Sequence, residues 1–194
     1  MGTGVFRYNR EQLIGLLERD ALKRGTFTLA SGRTSHYYVD GRKVTLSAEG
    51  AVQVGAGVIE QLVRRPEISA VGGLTMGADP IVGATLALAR EAGLGHLRGF
   101  LVRKETKTHG TGNLIEGPLE PGSKVAIVDD VATTGGSSLQ AAMAVEAFGC
   151  KVALVIVVLD RLEGAAAAFA ERGFPFHPLL TIRDLGVEPL SVNT

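Results

Sequence analysis

Cysteine is nearly absent: Cys150 stands alone in 194 residues. That excludes an internal disulfide and suits a reducing, cytoplasmic compartment. Lying between the helix-stopping Gly149 and an apolar run, it reads as a buried packing residue. Neither sign of charge is in surplus, with 20 Lys and Arg against 20 Asp and Glu. A nucleic-acid binder working through bulk electrostatics is thereby excluded, and any basic patch has to be local. Long apolar runs are missing too. The longest, Val152 to Leu159, has eight residues, far short of the roughly 20 that span a membrane as a helix. The opening MGTGVFRYNR lacks the form of a signal peptide. No fixed-period repeat or low-complexity linker divides the chain, and a 45% hydrophobic content is enough to bury a core. The expectation is one undivided domain, 1–194. Glycine is the exception, with 26 residues against an average near 7%, many of them in loops where backbone would lie close to a ligand.

Those loops centre on Lys124 to Phe148, KVAIVDDVATTGGSSLQAAMAVEAF. Val125 to Val128 is a continuous, β-branched apolar run, the pattern of a strand buried on both faces of a parallel sheet. Asp129 and Asp130 fall at its carboxyl end, where open α/β sheets bind ligands. Thr133-Thr134-Gly135-Gly136-Ser137 then offers amide and hydroxyl donors on a backbone that two glycines leave approachable. A helix follows, with Ser137 or Ser138 as its expected cap and Gly149 as its stop, so its positive dipole end faces the same place. That is a phosphate cradle. Two carboxylates beside it would repel phosphate but accept hydrogen bonds from a vicinal diol, so the set fits a ribose 5-phosphate. The loop lacks the lysine and long glycine spacing of a Walker loop and the G-x-G-x-x-G of a dinucleotide site. Too little chain follows Asp130 to complete a receiver domain.

VAIVDDVATTGGS resembles the phosphoribosyl-pyrophosphate (PRPP) motif of the type I phosphoribosyltransferases. FTLASGRTSHYYVDGRK, GLTMGADPI, RKETKTHGTGNLIEG and LDR resemble, in the same order, stretches of the orotate-specific members, so the likeness covers most of the chain. It implies an α/β type I phosphoribosyltransferase fold: a central parallel sheet flanked by helices (core about 46–182), a small hood from about 1–45 and 183–194, and a mobile lid at about 104–117. PRPP would be held by Arg103, Lys104, Lys107, His109, Asp129, Asp130, Val131, Ala132, Thr133, Thr134, Gly135, Gly136 and Ser137. Orotate would be met by Thr133, Arg161, Tyr38 and the Ala30 segment.

Local patterns fill in the rest. Arg10 to Arg24 reads as an amphipathic helix capped by Asn9. Thr26 to Leu29 and Tyr37 to Asp40 read as short strands around a turn. Ser47 to Leu62 reads as a helix, Ala70 to Leu74 and Phe100 to Val102 as strands, and Thr75 to Pro80 as a strand-to-helix turn leading into a helix from Ile81 to Arg90. The strand at Phe100 delivers Arg103, Lys104, Lys107 and His109 into a glycine-rich stretch, a pattern of movable cations suited to a pyrophosphate leaving group. Lys151 to Asp160 reads as a buried strand with Arg161 just past its ligand-side end, where a guanidinium fork can grip a carboxylate. An ion pair to Asp160 or Glu163 is the structural alternative. Gly164 to Arg172 is a helical stretch, and Phe176 to Ile182 a last strand. Two positions depart from the resemblance, Ala30 and Gly77, where many members carry lysine.

The implied reaction is transfer of the 5-phosphoribosyl group from PRPP to N1 of orotate, giving orotidine 5′-monophosphate and pyrophosphate. Lys107, Arg103 and His109 would stabilise the leaving group, while Asp129 and Asp130 hold the ribose diol. Magnesium would be held mainly by PRPP and water, without direct protein ligation. The family also implies a homodimer with shared sites, and neither nucleic acid nor membrane is an expected partner. A purine phosphoribosyltransferase and a non-catalytic PRPP sensor of the same fold are the rival readings. The basic stretch speaks against the sensor, and Arg161 with the SGRTSHYY segment against the purine enzyme.

Overall fold

The computed structural model describes residues 7–28, 34–105 and 114–190. At the amino end the Asn9 side chain accepts a hydrogen bond from the Gln12 N–H and starts helix α1 (Arg10–Leu16), which a π-helical turn, Leu17–Ala21, extends. Leu13, Leu16, Leu17 and Ala21 form its buried stripe. The helix ends before the Arg24 that its charge pattern predicts, because Leu22 turns extended and pairs with Val39. Strands β1 (Leu22–Thr28) and β2 (Thr34–Val39) form an antiparallel hairpin of their own. Cross-strand pairing thus gives the backbone of Leu22 to Arg24 the partners a further helical turn would have given, and both strands begin earlier than expected.

Helix α2 (Arg42–Thr45) leads to α3 (Ala48–Val63), capped by Ser47 through the Gly50 N–H. The chain then alternates through β3 (Ala70–Leu74), α4 (Ala78–Ala89), β4 (Arg98–Val102), a short β5 (Ile115–Glu116), β6 (Lys124–Ala132), α5 (Gly136–Ala147), β7 (Lys151–Asp160), α6 (Ala165–Glu171) and β8 (Phe176–Thr181). These strands form one sheet in the order β5-β4-β3-β6-β7-β8. Every neighbouring pair is parallel except β4 and β5. The predicted parallel sheet is therefore parallel through five strands and mixed at one edge, where the two-residue β5 runs antiparallel beside β4.

Strand alternation divides the apolar runs between two cores. Ala126 and Val128 of β6 and Leu154, Ile156 and Val158 of β7 pack under α1, α3 and α4. Val125 and Ile127, with Val155 and Val157, pack under α5 and α6 around Phe169. A register shift lets Leu154 follow Val152 as the next partner on β6, so Val152 and Val155 share a face despite their odd spacing. Both faces are covered, which is why these strands read as continuous apolar runs. Cys150 is buried in the second core, its thiol donating to the Glu120 carbonyl at 3.2 Å. No helix among the described residues is long and apolar enough to cross a membrane.

The strand order fixes where a ligand can enter. From β3 the chain winds outward through α4 to β4, then crosses back to β6 on the other side of β3 and winds outward through α5 to β7. Because α4 and α5 cover opposite faces, the carboxyl ends of β3 and β6 part and leave a crevice, the topological switch point of a doubly wound sheet.

Candidate active site

A cleft of about 290 Å³ occupies that crevice. Asp129 and Asp130 line it from the end of β6. Asp129 is 6% exposed. Its Oδ1 accepts from the Asp130 N–H at 3.0 Å and its Oδ2 from the Ser138 hydroxyl at 3.1 Å. Asp130 Oδ1 accepts from the Val131 N–H at 2.9 Å. Burial, followed by the adjacent Asp130 charge, pushes the Asp129 carboxyl up to about 7. Burial raises Asp130 as well, against the opposing pull of the Val131 N–H, its bond with Asp129 and the Arg42 charge. Carboxylates desolvated in this way favour a ligand that brings hydroxyl donors or positive charge, since either stabilises the ionised form.

Glycines frame the pair. A Cβ at Gly77 would stand 2.5 Å from Asp129 Oδ1 and 2.9 Å from Asp130 Oδ1, and one at Gly41 would stand 3.0 Å from Asp130 Oδ2. Backbone, not side chain, therefore approaches the carboxylates from β3 and from the hairpin. The Asp40–Arg42 wall was not assigned from sequence, although a glycine flanked by opposite charges just after a strand was a signal for it. Arg42 is paired with Asp40 at 3.0 Å.

Beside the cleft lies a hollow of about 260 Å³, bounded by Asp129 and the loop from Val131 to Ser137. Gly135 adopts φ +80°, a left-handed conformation open to glycine. It is itself the N-cap of α5, and no side-chain bond caps the helix. The serine cap expected from sequence is thus absent, because Ser138, already inside the helix, is turned onto Asp129. The first amides of α5 point their donors and dipole at the hollow instead.

The remaining sequence-predicted residues divide into three sets. Tyr38, Lys104, Val131, Thr133, Ser137 and Arg161 line the cleft with the aspartates, and Ala132, Thr134, Gly135 and Gly136 line the hollow. Arg103 lines neither and is paired with Glu116 of β5 at 3.0 Å. Ala30, Lys107 and His109 lie outside the described residues. Arg161 is 7% exposed, and its Nη2 lies 2.8 Å from Glu163 Oε1. The ion pair weighed as the structural alternative is therefore formed, with the guanidinium still in the cleft wall.

Comparison with known proteins accounts for this arrangement. The model of the phosphoribosyl transferase domain family matches residues 46–169. The orotate phosphoribosyltransferase of Rhodopirellula baltica is 48% identical over 182 residues, 91% of this chain and 94% of that protein. That of Thermosynechococcus vestitus is 48% identical over 177 residues, 91% and 92% of the two chains. A crystal structure of the Mycobacterium tuberculosis orotate phosphoribosyltransferase in complex with PRPP superposes with a TM-score of 0.75 at 36% identity, covering 92% of this chain and 99% of that one. The chain belongs to the orotate phosphoribosyltransferase family. It is an enzyme, a pentosyltransferase of pyrimidine biosynthesis.

In this chain the departure at Gly77 has a physical correlate. Any side chain there would have to displace the carboxylates that the Asp130 amide and Ser138 hold in place. No group of three or more His, Cys, Asp or Glu side chains that could hold an ion occurs among the described residues.

Proposed function

We propose that this chain transfers the 5-phosphoribosyl group of PRPP to N1 of orotate. The C1–O bond to pyrophosphate breaks, the C1–N1 bond forms, and orotidine 5′-monophosphate and pyrophosphate leave. The carrying observation is the acidic pair at the switch point beside a donor-rich loop at a helix N-terminus. That juxtaposition supports a ligand with a diol and a phosphate at sugar-spanning separation.

In this reading Thr133 to Ser137 hold the 5-phosphate, with Val131 and Ala132 shaping the approach, and Asp129 and Asp130 accept from the ribose hydroxyls. As the C1–O bond stretches, positive charge grows on the ribose and the carboxylates stabilise it. Negative charge grows on pyrophosphate, where cations stabilise the transition state more than the ground state. Lys104 in the cleft wall, with Arg103, Lys107 and His109, fill that role. Magnesium, when bound with PRPP, adds positive charge against the leaving group. The Thr75–Gly77 turn presents backbone to the same region. Arg161 meets the orotate carboxylate, and Tyr38, with Thr133 and the Ala30 segment, borders the base. The hairpin and the closing Ile182–Leu185 turn are joined by Arg24, which donates to the Leu185 carbonyl at 3.0 Å, in keeping with a hood over the base. The active form is a homodimer in which the basic stretch of one subunit serves the site of the other.

Pyrophosphate release is measured with PRPP, magnesium and a panel of bases. Release with orotate and not with adenine, guanine or hypoxanthine is expected. Release with a purine alone would replace this reading with the purine one, and PRPP binding without turnover on any base would replace it with the sensor.

A further inference from the structure

The turn after β7 builds a feature that the reaction scheme leaves unused. Asp160 Oδ1 accepts from the Leu162 N–H at 2.9 Å, and Leu162 is the one described non-glycine residue at positive φ, +60°. A branched side chain in that conformation is strained and persists only where its surroundings hold it. The two side chains that flank it, Arg161 and Glu163, form an ion pair, Nη2 to Oε1 at 2.8 Å. The Arg161 N–H is meanwhile tied to the Ala132 carbonyl at 2.9 Å, which fixes the turn to the end of β6.

Tyr37 of β2 closes the group from the other side. Its ring lies under the Arg161 guanidinium, 4.8 Å from centroid to Cζ. Its hydroxyl donates to Glu163 Oε1 at 2.9 Å and receives Arg161 Nε at 3.3 Å. Tyr37 and Glu163 are 2% and 5% exposed. The contacts engage the Nε–Nη2 side of the fork. Nη2 is close enough to Glu163 for an ion pair, yet no acceptor meets it in hydrogen-bond alignment, and no hydrogen bond from the described residues engages Nη1. Nη2 is itself buried against Glu163, so the Nη1 end of the fork is what is left for a ligand carboxylate. A guanidinium this deeply buried also needs a countercharge before any substrate arrives, and Glu163 supplies it.

We propose that Tyr37 and Glu163 are positioning residues that hold the Arg161 fork with its unengaged Nη1 end toward the cleft, and so set the preference for a base that carries a carboxylate. This rests on the reading of Arg161 as the orotate contact.

Steady-state kinetics and binding of orotate and of PRPP on Glu163→Gln, Tyr37→Phe, Arg161→Ala and the Glu163→Gln/Arg161→Ala double variant test it. Glu163→Gln is expected to raise the orotate KM about tenfold, the cost of one charge-assisted contact set wrongly, with the PRPP KM unchanged. Tyr37→Phe, which deletes a hydroxyl and keeps the ring, should move orotate in the same direction and serves if Glu163→Gln folds poorly. In the Arg161→Ala background, Glu163→Gln should add nothing, because a residue acting through Arg161 has no effect without it. If Arg161→Ala weakens orotate while Tyr37→Phe and a folded Glu163→Gln leave it unchanged, positioning is overturned and the Arg161 reading stands. If the two substitutions add, or PRPP weakens in parallel with orotate, the residues are merely structural. If Arg161→Ala itself leaves orotate binding intact, the reading beneath the proposal falls with it.

Discussion

At the scale of single residues the site is an acidic pair kept under electrostatic tension. Asp129 is buried, with Ser138 and the Asp130 amide as its hydrogen-bond donors. A carboxyl whose pKa is raised to about 7 by folding binds a proton more tightly in the folded than in the unfolded chain. Its contribution to stability is therefore full below the ordinary carboxylate range, declines as pH rises from there toward 7, and is lowest above 7. Asp129→Asn should abolish that decline. Its melting temperature should match wild type near pH 4 and exceed it by several degrees near pH 8, while turnover falls. Calorimetric melts across this range check it, and a variant no more stable than wild type at pH 8 would contradict the desolvation account. Ser138→Ala removes a donor that favours the ionised form. Its acid limb in the pH–rate profile should move to higher pH, with a stability cost of about 1–3 kcal/mol for an acceptor left short of a partner.

At the scale of elements, the exits from β3 and β6 act as a unit. The Thr75–Pro80 segment is read from sequence as a strand-to-helix turn, and the structure gives it a further duty, since Gly77 lies against both carboxylates. Gly77→Ala tests this. The added methyl meets the ends of two short side chains that hydrogen bonds hold in place, so either the turn or the carboxylates must move. Catalytic efficiency with PRPP should fall by roughly 10–100-fold, as expected when reacting groups are displaced by a fraction of an ångström. The fold should survive, because the clash falls in the cleft and not in either core. Unchanged kinetics would mean that the carboxylates yield freely and that their observed geometry is immaterial.

At the scale of the molecule, the question is how the basic stretch reaches a site whose leaving-group side is open. Arg103 is held by Glu116 on β5, which leaves Lys104 as the described residue of the basic stretch that lines the cleft. The proposed assembly is a dimer with exchanged cations. Lys107→Ala should lower turnover by about 10²–10³-fold, as the loss of one transition-state donor does, and Asp130→Ala should be severely impaired. Mixed and separated as a heterodimer, the two should recover part of the wild-type rate, because one of the two shared sites is then intact. Heterodimers as inactive as their parents would confine each site to a single chain.

What the sequence by itself determined is local or periodic. The β-branched run before Asp129, the glycines around Thr133 to Ser137 and the stops at Gly149 and Gly173 specify their strand, loop and helix ends through short-range sterics. The order of those pieces carries the family, and the acidic pair and phosphate loop are adjacent in the chain, so the heart of the site was legible there. The tertiary structure decided whatever depends on partners distant in sequence. Leu22 to Arg24 became strand because Val39 to Tyr37 lay opposite, overruling a helical charge pattern. Ser138 served Asp129 and not the helix end, because burial left that carboxylate in need of a donor. Arg161 met Tyr37 across more than a hundred residues. No periodicity announces such a contact, since hydrogen bonds and countercharge in a buried site go to whichever groups the crossing of strands brings within reach.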